Sequence, residues 1–578
     1  MKQIKRLKWM TAVLAMLLVI TACSSGTGDN GGNAGKVQEV KEPSALSNDP
    51  IVLKLFCTDC SEAGVQKTAI AEEIKKKFNI TLDVVKGDEQ KLQALLAGGD
   101  LPDVITLEGA VINMKDSLIQ SGQVMALDEL LDKYGANIKK HSSLSLDVMR
   151  KVNSNNTGNV YFLTTAQEKA YDGLVKQNAA YGFFTRWDLY KKIGAPEMNN
   201  EDDYLLALQK MQALQPTASN GKKVYALSSW TDWGTWPYMI TYPFSHGYTN
   251  VGSGDLLLDR ETGEVEATYT NPDGIFWKGI KFFNKAYQMG LFDPDGFIQK
   301  SSQNSERRKT GEIITHYMPA KSGTMIAGAG GDENAQMIMI PGPFPYIPGV
   351  YAEDNPWGWG LTSHAITSNN KNPERTMQLL DYLSSPEGGR LLFSGVEGTD
   401  WDVVDGKPQL IGELARAENS EYKKQVGIGQ YNKVLSSFAG SYPDDNGMPI
   451  DLGMNVMPES ITAAEKDFAA HYGAEFQYPG QVYDKLIKEN KAKSATKFWL
   501  ASSLLAAPSE ESSQALSKAQ EYFMANVAKF VMAKDDASFD AVKQKAIEDF
   551  NNMGVGKAFD EVLANYEQAK KLAGEFGK

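Results

Sequence analysis

Cysteine and histidine are scarce in this 578-residue chain, which contains three of the first and five of the second. A zinc site usually takes four such ligands, so these few residues disfavour one. The chain also lacks the G-x-S-x-G, H-E-x-x-H and phosphate-loop motifs that mark several large enzyme classes. We therefore expect no metal, no cofactor and no catalytic residue, and a protein that is not an enzyme.

Positive charge is also in short supply, because 72 acidic residues outnumber 59 basic ones and give a formal net charge of −13. Nucleic-acid-binding proteins need basic surfaces, so we expect no nucleic-acid partner. The same balance disfavours a strongly anionic ligand. The chain is nevertheless long enough, at more than 500 residues past its N-terminal segment, to predict two or more domains.

Long apolar runs are missing except for one near the N-terminus, Trp9–Ile20. A membrane-spanning helix needs about 20 apolar residues, so this run is too short to span a bilayer. It follows a basic segment, and the combination is typical of a signal peptide over residues 1–22. The basic residues are Lys2, Lys5, Arg6 and Lys8.

The apolar run ends in Ile20-Thr21-Ala22-Cys23, which resembles the lipobox cut by the lipoprotein signal peptidase. We predict that Cys23 carries lipid and anchors a soluble body at the extracellular face of the cell membrane. The alternative is a plain secretory signal with an incidental cysteine. Residues 23–49 are rich in glycine, asparagine and serine, a composition that predicts a flexible tether.

The two other cysteines lie close together in Cys57-Thr58-Asp59-Cys60. Outside the cell, two neighbouring thiols most often form a small structural disulfide, which we predict here. A redox pair, half of a zinc site and two free thiols stay open as alternatives.

The body of the protein opens with strands that alternate with helices. The pattern predicts a strand over 51–56, a helix over 61–78, and strands over 80–84 and 104–107. Between the last two strands, Asp88 begins a helix that Gly98-Gly99 ends. This alternation predicts a parallel sheet and an α/β lobe, with a ligand rim at the carboxyl ends of the strands. After about Pro458 the chain is mostly helical.

A stretch at residues 95–105, Leu-Leu-Ala-Gly-Gly-Asp-Leu-Pro-Asp-Val-Ile, resembles a segment of the family 1 extracellular solute-binding proteins. These are receptors of carbohydrate ABC importers. Further segments match the large lipoprotein subgroup that is common in Gram-positive bacteria. They are Ser121–Gly122–Gln123 to Tyr134–Gly135, Arg186 to Lys192, Asn372 to Gly389, Gly395 to Trp401, and Asp405 to Pro408.

The resemblance implies a two-lobed, type II periplasmic-binding-protein-like α/β fold with a hinge and extra C-terminal helices. By analogy, lobe one covers residues 50–165 plus 365–445, and lobe two covers 166–364 plus 446–578. The implied function is capture of a carbohydrate, most simply an oligosaccharide, between the lobes and delivery to the ABC permease. We expect a monomer.

One departure from the family concerns calcium. Some alginate-binding relatives carry an Asp/Asn-rich calcium loop in lobe two, where this chain has residues 215–223. That segment contains no carboxylate, whereas calcium prefers several oxygen ligands, so we predict no calcium there. Two calcium-like fragments, Asp293–Gly296 and Asp444–Gly447, are predicted to be turns.

Sugars present apolar faces to aromatic rings, and two aromatic clusters are candidates for that role. The first contains Trp230, Trp233, Trp236 and Tyr238 in a segment that Gly234 and Pro237 interrupt. The alternative for these rings is a buried core, the usual fate of aromatic residues. The second cluster is the pair Trp357 and Trp359, whose alternative is packing at the hinge.

Polar candidates complete the predicted ligand contacts. Glu397 and Trp401 lie in a glycine-rich segment, where Glu397 would accept hydrogen bonds from sugar hydroxyls or, alternatively, stabilise a turn. Asp59 and Arg186 are weaker candidates, since Arg186 has the alternative of an ion pair. Two other functions stay open: an extracellular carbohydrate-active enzyme with two carboxylates across a groove, and a peptide-binding lipoprotein of the same fold.

Overall fold

The computed structural model describes most of the chain after the predicted tether. The described residues are 47–58, 60, 62–108, 114–171, 173–252, 254–358, 362–416, 419–456, 458–473 and 477–576. The predicted signal peptide, the lipidation site Cys23 and two predicted ligand contacts, Asp59 and Trp359, lie outside them. Within the described part, no helix combines the length and the apolar character that crossing a bilayer requires.

The strands of the described residues form four sheets. In chain order the strands are β1 (Ile51–Cys57), β2 (Gly64–Val65), β3 (Ile80–Lys86), β4 (Val104–Leu107), β5 (Leu163–Thr164), β6 (Phe184–Arg186), β7 (Tyr248–Val251), β8 (Leu256–Asp259), β9 (Val265–Ala267), β10 (Thr315–His316), β11 (Ala320–Lys321), β12 (Gln336–Met339), β13 (Ser363–Ile366), β14 (Trp401–Val404) and β15 (Lys407–Leu410).

The helices before β13 are α1 (Ala69–Phe78), α2 (Glu89–Gly98), α3 (Lys115–Gln120), α4 (Asp128–Tyr134), α5 (Ala136–His141), α6 (Ser143–Val152), α7 (Trp187–Lys192), α8 (Glu201–Leu214), α9 (Trp236–Met239), α10 (Tyr242–Ser245), α11 (Ile275–Gln288), α12 (Ser301–Lys309) and α13 (Gly323–Gly328). Those after it are α14 (Pro373–Leu383), α15 (Pro386–Ser394), α16 (Ser420–Val426), α17 (Asn432–Leu435), α18 (Ala463–Tyr472), α19 (Pro479–Lys488), α20 (Leu500–Ser503), α21 (Glu510–Val531), α22 (Asp536–Asn552) and α23 (Val555–Ala573).

The first sheet has the order β2-β3-β1-β4-β13-β5. β1 pairs in parallel with β3 and with β4, as the alternation of strands and helices predicts. β4 is buried along its whole length because it lies at the centre of the sheet. β13 comes from far along the chain and pairs antiparallel with both β4 and β5.

Local signals set the helix ends in this region. The Asp88 carboxylate accepts a hydrogen bond from the Lys91 N–H (2.9 Å), and Gly99 ends α2 with a φ of 72°. One boundary differs from the expectation. The helix predicted over 61–78 begins only at Ala69, because Gly64–Val65 adds β2 to the edge of the sheet beside β3.

The second sheet is built from a different part of the chain. Its order is β10-β6-β12-β11, and all of its pairs are antiparallel. The C-terminal helices α21, α22 and α23 pack together, and Phe523 of α21 contacts Phe276 of α11 with ring centroids 5.0 Å apart. Each of the two sheets packs with its own set of helices. This arrangement is the predicted two-lobed α/β fold. The residue boundaries of the lobes stay a prediction.

Of the two calcium-like fragments, Asp444–Gly447 is a turn, as predicted, whereas Asp293 caps a short 3₁₀ helix, Pro294–Phe297. Asp293 accepts a hydrogen bond from the Asp295 N–H (3.2 Å) and forms an ion pair with Arg307 (2.6 Å). Asp444 accepts from the Asn446 N–H (2.8 Å). Both carboxylates are therefore engaged by the protein itself.

Three chain segments run between the two sheets and meet side by side; we call residues 165–168, residues 355–358 with 362, and residues 437–441 the hinge segments. The first lies in the middle and bonds to both others through its backbone. Its hydrogen bonds are Thr165 N–H to the Thr362 carbonyl (3.0 Å), Glu168 N–H to the Asn355 carbonyl (2.9 Å), Gln167 N–H to the Ser437 carbonyl (2.9 Å) and Ala439 N–H to the Gln167 carbonyl (2.9 Å).

Gly358 allows the first two hinge segments to approach each other. It has a φ of 85°, and a Cβ atom added there would overlap the carbonyl oxygen of Thr165. Any other residue would have both an unfavourable backbone conformation and a steric clash.

We therefore expect Gly358→Ala to destabilise the protein by roughly 3 kcal/mol or more, since strain and overpacking add. The matched control is Gly330→Ala. Gly330 has a φ of 74° but no atom within 4 Å of an added Cβ, so its cost is the backbone term of about 1–2 kcal/mol. Urea unfolding of both variants measures the difference, and equal losses would contradict a close approach at the hinge.

Candidate ligand-binding site

Four rings of the second lobe form a partly exposed cluster, which we call the aromatic platform: Trp230, Trp233, His316 and Tyr317. The Trp230 ring lies 5.3 Å from Trp233 at an interplanar angle of 85° and 5.5 Å from Tyr317. Trp233 and Tyr317 are 5.9 Å apart. Trp233 keeps 43% of its surface exposed, whereas Trp230 keeps 5%. The platform thus presents one open indole supported by the buried Trp230 and the half-buried His316 and Tyr317.

Two loops hold the platform in place. The Thr231 N–H and hydroxyl both donate to the Gln299 carbonyl oxygen, at 3.0 and 3.1 Å. The Asp232 carboxylate accepts from the N–H and hydroxyl of Ser301 at the start of α12, at 2.7 and 2.8 Å. These bonds tie the tryptophan loop to α12, while His316 is the last residue of β10 and Tyr317 follows it directly.

More rings extend the platform toward the hinge segments. The Phe244 ring lies 5.6 Å from Trp236 and 5.8 Å from Tyr181. Burial raises the pKa of the Tyr181 hydroxyl, and the negative charges of Glu353 and Glu168 raise it further. Since Glu168 belongs to a hinge segment, the Tyr181 ring lies within electrostatic range of that segment.

Below the platform is a narrow cavity of about 20 Å³, lined in part by Trp230, Tyr238, Asn304, His316 and Tyr317. This volume suits about one water molecule. A ligand larger than that has to lie on the platform and not beneath it.

The first lobe contributes a polar edge at the carboxyl ends of its parallel strands. Cys57 and Cys60 form the predicted disulfide at the end of β1, and the Cys60 sulfur lies 3.1 Å from the Gln430 carbonyl oxygen. The Thr58 hydroxyl donates to Glu108, and Lys433 lies 3.6 Å from the same carboxylate. These contacts cover the rim where ligands bind in open α/β sheets.

A larger cavity of about 350 Å³ lies where the hinge segments meet α5 and α6. Charged residues of both signs line it, including Lys140, Glu168, Lys169, Asp354 and Asp445. Lys140 and Asp445 form an ion pair at 3.3 Å. His141 and Tyr442 also line it, but Tyr442 is only 6% exposed, so charged groups dominate this cavity, in contrast to the platform.

Several predicted ligand contacts have packing roles instead. Trp357 is fully buried in the main core, as packing at the hinge requires. Tyr238 packs between Phe283 and Phe523, at 5.9 and 5.7 Å. The expectation that these two rings line a ligand surface is therefore corrected, because both lie away from solvent.

Two more predicted contacts are corrected for the same reason. Arg186 is 1% exposed and makes a two-pronged ion pair with Asp188, at 2.7 and 2.8 Å. Trp401 is buried in a small cluster, where its N–H donates to the Gly395 carbonyl (3.0 Å). Their hydrogen-bonding groups are already used within the protein.

Glu397 is exposed, as its glycine-rich surroundings predict, but it lies on the first lobe. It is close enough to Tyr382 to raise the pKa of that hydroxyl, although burial is the main cause. The Tyr382 ring packs against Phe78 at the end of α1. The structure thus does not bring Glu397 together with the platform.

His316, Tyr317 and Tyr181 are not among the ligand contacts predicted from the sequence. Burial lowers the pKa of His316 to about 3, with a further contribution from Arg308, so this ring is neutral at physiological pH. The available signal was the pair of adjacent rings at the end of the short strand β10 (Thr315–His316). It was weak because nothing in the sequence pairs that strand with the tryptophan loop.

Comparison with known proteins gives a consistent result. The family model described as "Bacterial extracellular solute-binding protein" matches residues 69–396. The chain is 22% identical over 404 residues to the fructooligosaccharide ABC transporter substrate-binding protein FusA of Streptococcus pneumoniae serotype 4, covering 66% of this chain and 71% of that protein.

Solved structures share the fold. The alginate-binding protein AlgQ2 without calcium ion matches with a TM-score of 0.58 and 19% identity, over 90% of this chain and 99% of that one. An HMO-binding solute-binding protein from Bifidobacterium longum infantis matches with a TM-score of 0.57 and 15% identity, again over 90% and 99%. These matches confirm the predicted two-lobed α/β fold.

The contrast between buried and exposed tryptophans makes a stability prediction. Trp357→Ala should lower the free energy of unfolding by about 3–5 kcal/mol, because it opens a large cavity in the core. Trp233→Ala should change it by less than about 1 kcal/mol, since nearly half of that ring already contacts water. Thermal and urea unfolding measure both, and a large loss for Trp233→Ala would show that the platform is part of the core.

Proposed function

Because the chain belongs to the bacterial extracellular solute-binding protein family, we propose that it captures an oligosaccharide outside the cell and delivers it to the permease subunits of an ABC importer. The aromatic platform is the observation that carries this proposal. Sugar rings have apolar C–H faces that stack on indole, and ligand sites combine such rings with a few polar groups. The open face of Trp233 suits this purpose.

The relatives support the class of ligand. One is named for a fructooligosaccharide, and two solved neighbours are named for alginate and for HMO. These names and the aromatic platform are together the basis on which we propose a sugar ligand for this chain. A peptide ligand would instead need polar groups that bond its backbone, whereas the platform is built from rings.

We propose that binding closes the two lobes on the ligand, with the platform on one side and the polar edge near Glu108 and Lys433 on the other. A ligand that contacts both lobes favours the closed state by its differential affinity for it. Lobe one would comprise residues 50–165 plus 365–445, and lobe two 166–364 plus 446–578. The hinge segments would then be the parts that absorb the rotation.

Lipid on Cys23 and the tether over residues 23–49 would hold the protein, as a monomer, at the outer face of the membrane. The ligand is released to the permease unchanged, so the proposal includes no catalytic activity. Delivery requires only that the closed, loaded form docks on the permease.

The lipid anchor has a direct test in a host that makes lipoproteins. Cys23→Ser should leave the protein unacylated and shift most of it from the membrane fraction to the medium, because a diacylglyceryl group is attached only through the thiol. Mass spectrometry of the mature N-terminus and immunoblots of both fractions measure this. An unchanged amount of the variant in the membrane fraction would contradict the proposed lipid anchor.

Sugar binding is tested by isothermal titration of the mature protein against a panel of neutral and acidic oligosaccharides. We expect at least one to bind, and Trp233→Ala to weaken that affinity on the order of tenfold through loss of stacking. Leu206→Ala is a matched control, because Leu206 is an apolar residue of the same lobe that is 49% exposed. It should bind normally.

A reducing-end assay on the same mixtures separates binding from catalysis. Stoichiometric complexes without new reducing ends would support a receptor, whereas progressive product formation would support an extracellular enzyme. Folded protein that binds nothing in the panel would overturn the proposed ligand class.

A further inference from the structure

Arg308 differs from the other arginines of the described residues. Seven of the eight have carboxylate or carbonyl partners for their terminal nitrogens: Arg150, Arg186, Arg260, Arg307, Arg375, Arg390 and Arg416. Arg308 makes one hydrogen bond, from Nε to the Asn304 side-chain oxygen (3.2 Å). Within the described part of the chain, its two terminal nitrogens have no such partner.

This arginine lies beside the aromatic platform. Its partner Asn304 lines the small cavity together with Trp230, His316 and Tyr317, and the Asn304 amide also donates to the Ser228 hydroxyl (3.2 Å). Burial of the His316 ring lowers the pKa of His316 most, and the positive charge of Arg308 lowers that pKa further. The guanidinium therefore lies at the edge of the surface on which a ligand would stack.

Burial makes this position costly for a cation. The side chain is partly buried, and desolvation lowers the pKa of the Arg308 guanidinium. A desolvated charge without a counter-charge is unfavourable. The neighbouring Arg307 does have counter-charges, because its guanidinium pairs with Asp293 (2.6 Å) and Glu312 (2.9 Å).

The acids near the platform are already engaged. Asp232 accepts two hydrogen bonds from Ser301. Toward the hinge, Glu168 pairs with Lys176 (3.6 Å) and Glu353 with Arg260 (2.5 Å). A counter-ion for Arg308 is thus most simply supplied by the ligand.

We propose that the terminal nitrogens of Arg308 bind a carboxylate of the ligand, and that the captured oligosaccharide contains a uronic acid. The inference rests on the proposed function and narrows its ligand class. A planar guanidinium matches a carboxylate with two parallel hydrogen bonds, while Trp233 stacks on the face of the sugar ring. The net charge of −13 disfavoured an anionic ligand, but a desolvated local cation outweighs distant, screened charges.

The test compares each uronic acid trimer with its own methyl ester, which has the same shape but no charge. Trimers of galacturonate, guluronate and mannuronate are titrated calorimetrically into the mature protein. At least one acid should bind about tenfold or more tightly than its ester, because the ester loses the charge-assisted pair. The acid's affinity should also fall as salt is raised.

Variants assign the preference to one side chain. Arg308→Gln should remove most of the preference for the acid while leaving binding of the ester within about twofold, and Arg308→Lys should retain only part of it, since lysine lacks the planar fork. Arg416→Gln is the control, because Arg416 is exposed and pairs with nearby Glu413. Thermal unfolding confirms that each variant is folded.

The outcomes separate this inference from the proposed function. Neutral oligosaccharides bound with no preference for any acid, or an acid preference that survives Arg308→Gln, would overturn the carboxylate inference and leave the receptor intact. Folded protein that binds neither acids, esters nor neutral oligosaccharides would overturn both.

Discussion

The backbone hydrogen bonds of the central hinge segment are the constraint on which the rest of the structure depends. Residues 165–168 bond on one side to Asn355 and Thr362 and on the other to Ser437 and Ala439. Because these three segments are the links between the two sheets, their pairing fixes how the lobes can approach each other. Backbone groups buried at such a junction need partners, and the neighbouring segments supply them. In the proposed closure, rotation of the lobes would be concentrated in these few residues.

The same constraint decides which aromatic residues are free to meet a ligand. Trp357 precedes the return of the chain to the first sheet and is buried where the lobes join. Trp233 lies on a loop fixed by Ser301 and Gln299, and these hydrogen bonds hold its ring outward. Two tryptophans of the same chemical type therefore have opposite roles, set by the neighbours that their segments find.

The surroundings of charged residues in α12 also depend on the segments that pack beside them. Adjacent residues of α12, Arg307 and Arg308, point to different surroundings. Arg307 enters a network with Asp293 and Glu312, and Arg308 reaches the platform with one neutral partner. A net charge averages over the whole surface, whereas binding depends on the few charges that the ligand desolvates.

The sequence by itself determined the features that depend on neighbouring residues. The parallel strands β1, β3 and β4, the caps at Asp88 and Gly99, and the family segment at 95–105 could all be read locally, because periodicity and capping act over a few residues. The bond between Cys57 and Cys60 belongs to the same class. Only the tertiary structure decided which rings are exposed, that Arg186 pairs inside the protein, and that His316, Tyr317 and Arg308 meet the tryptophan loop. The contacts that decide burial and pairing join residues distant in sequence, and one sequence alone contains no record of which distant segments meet.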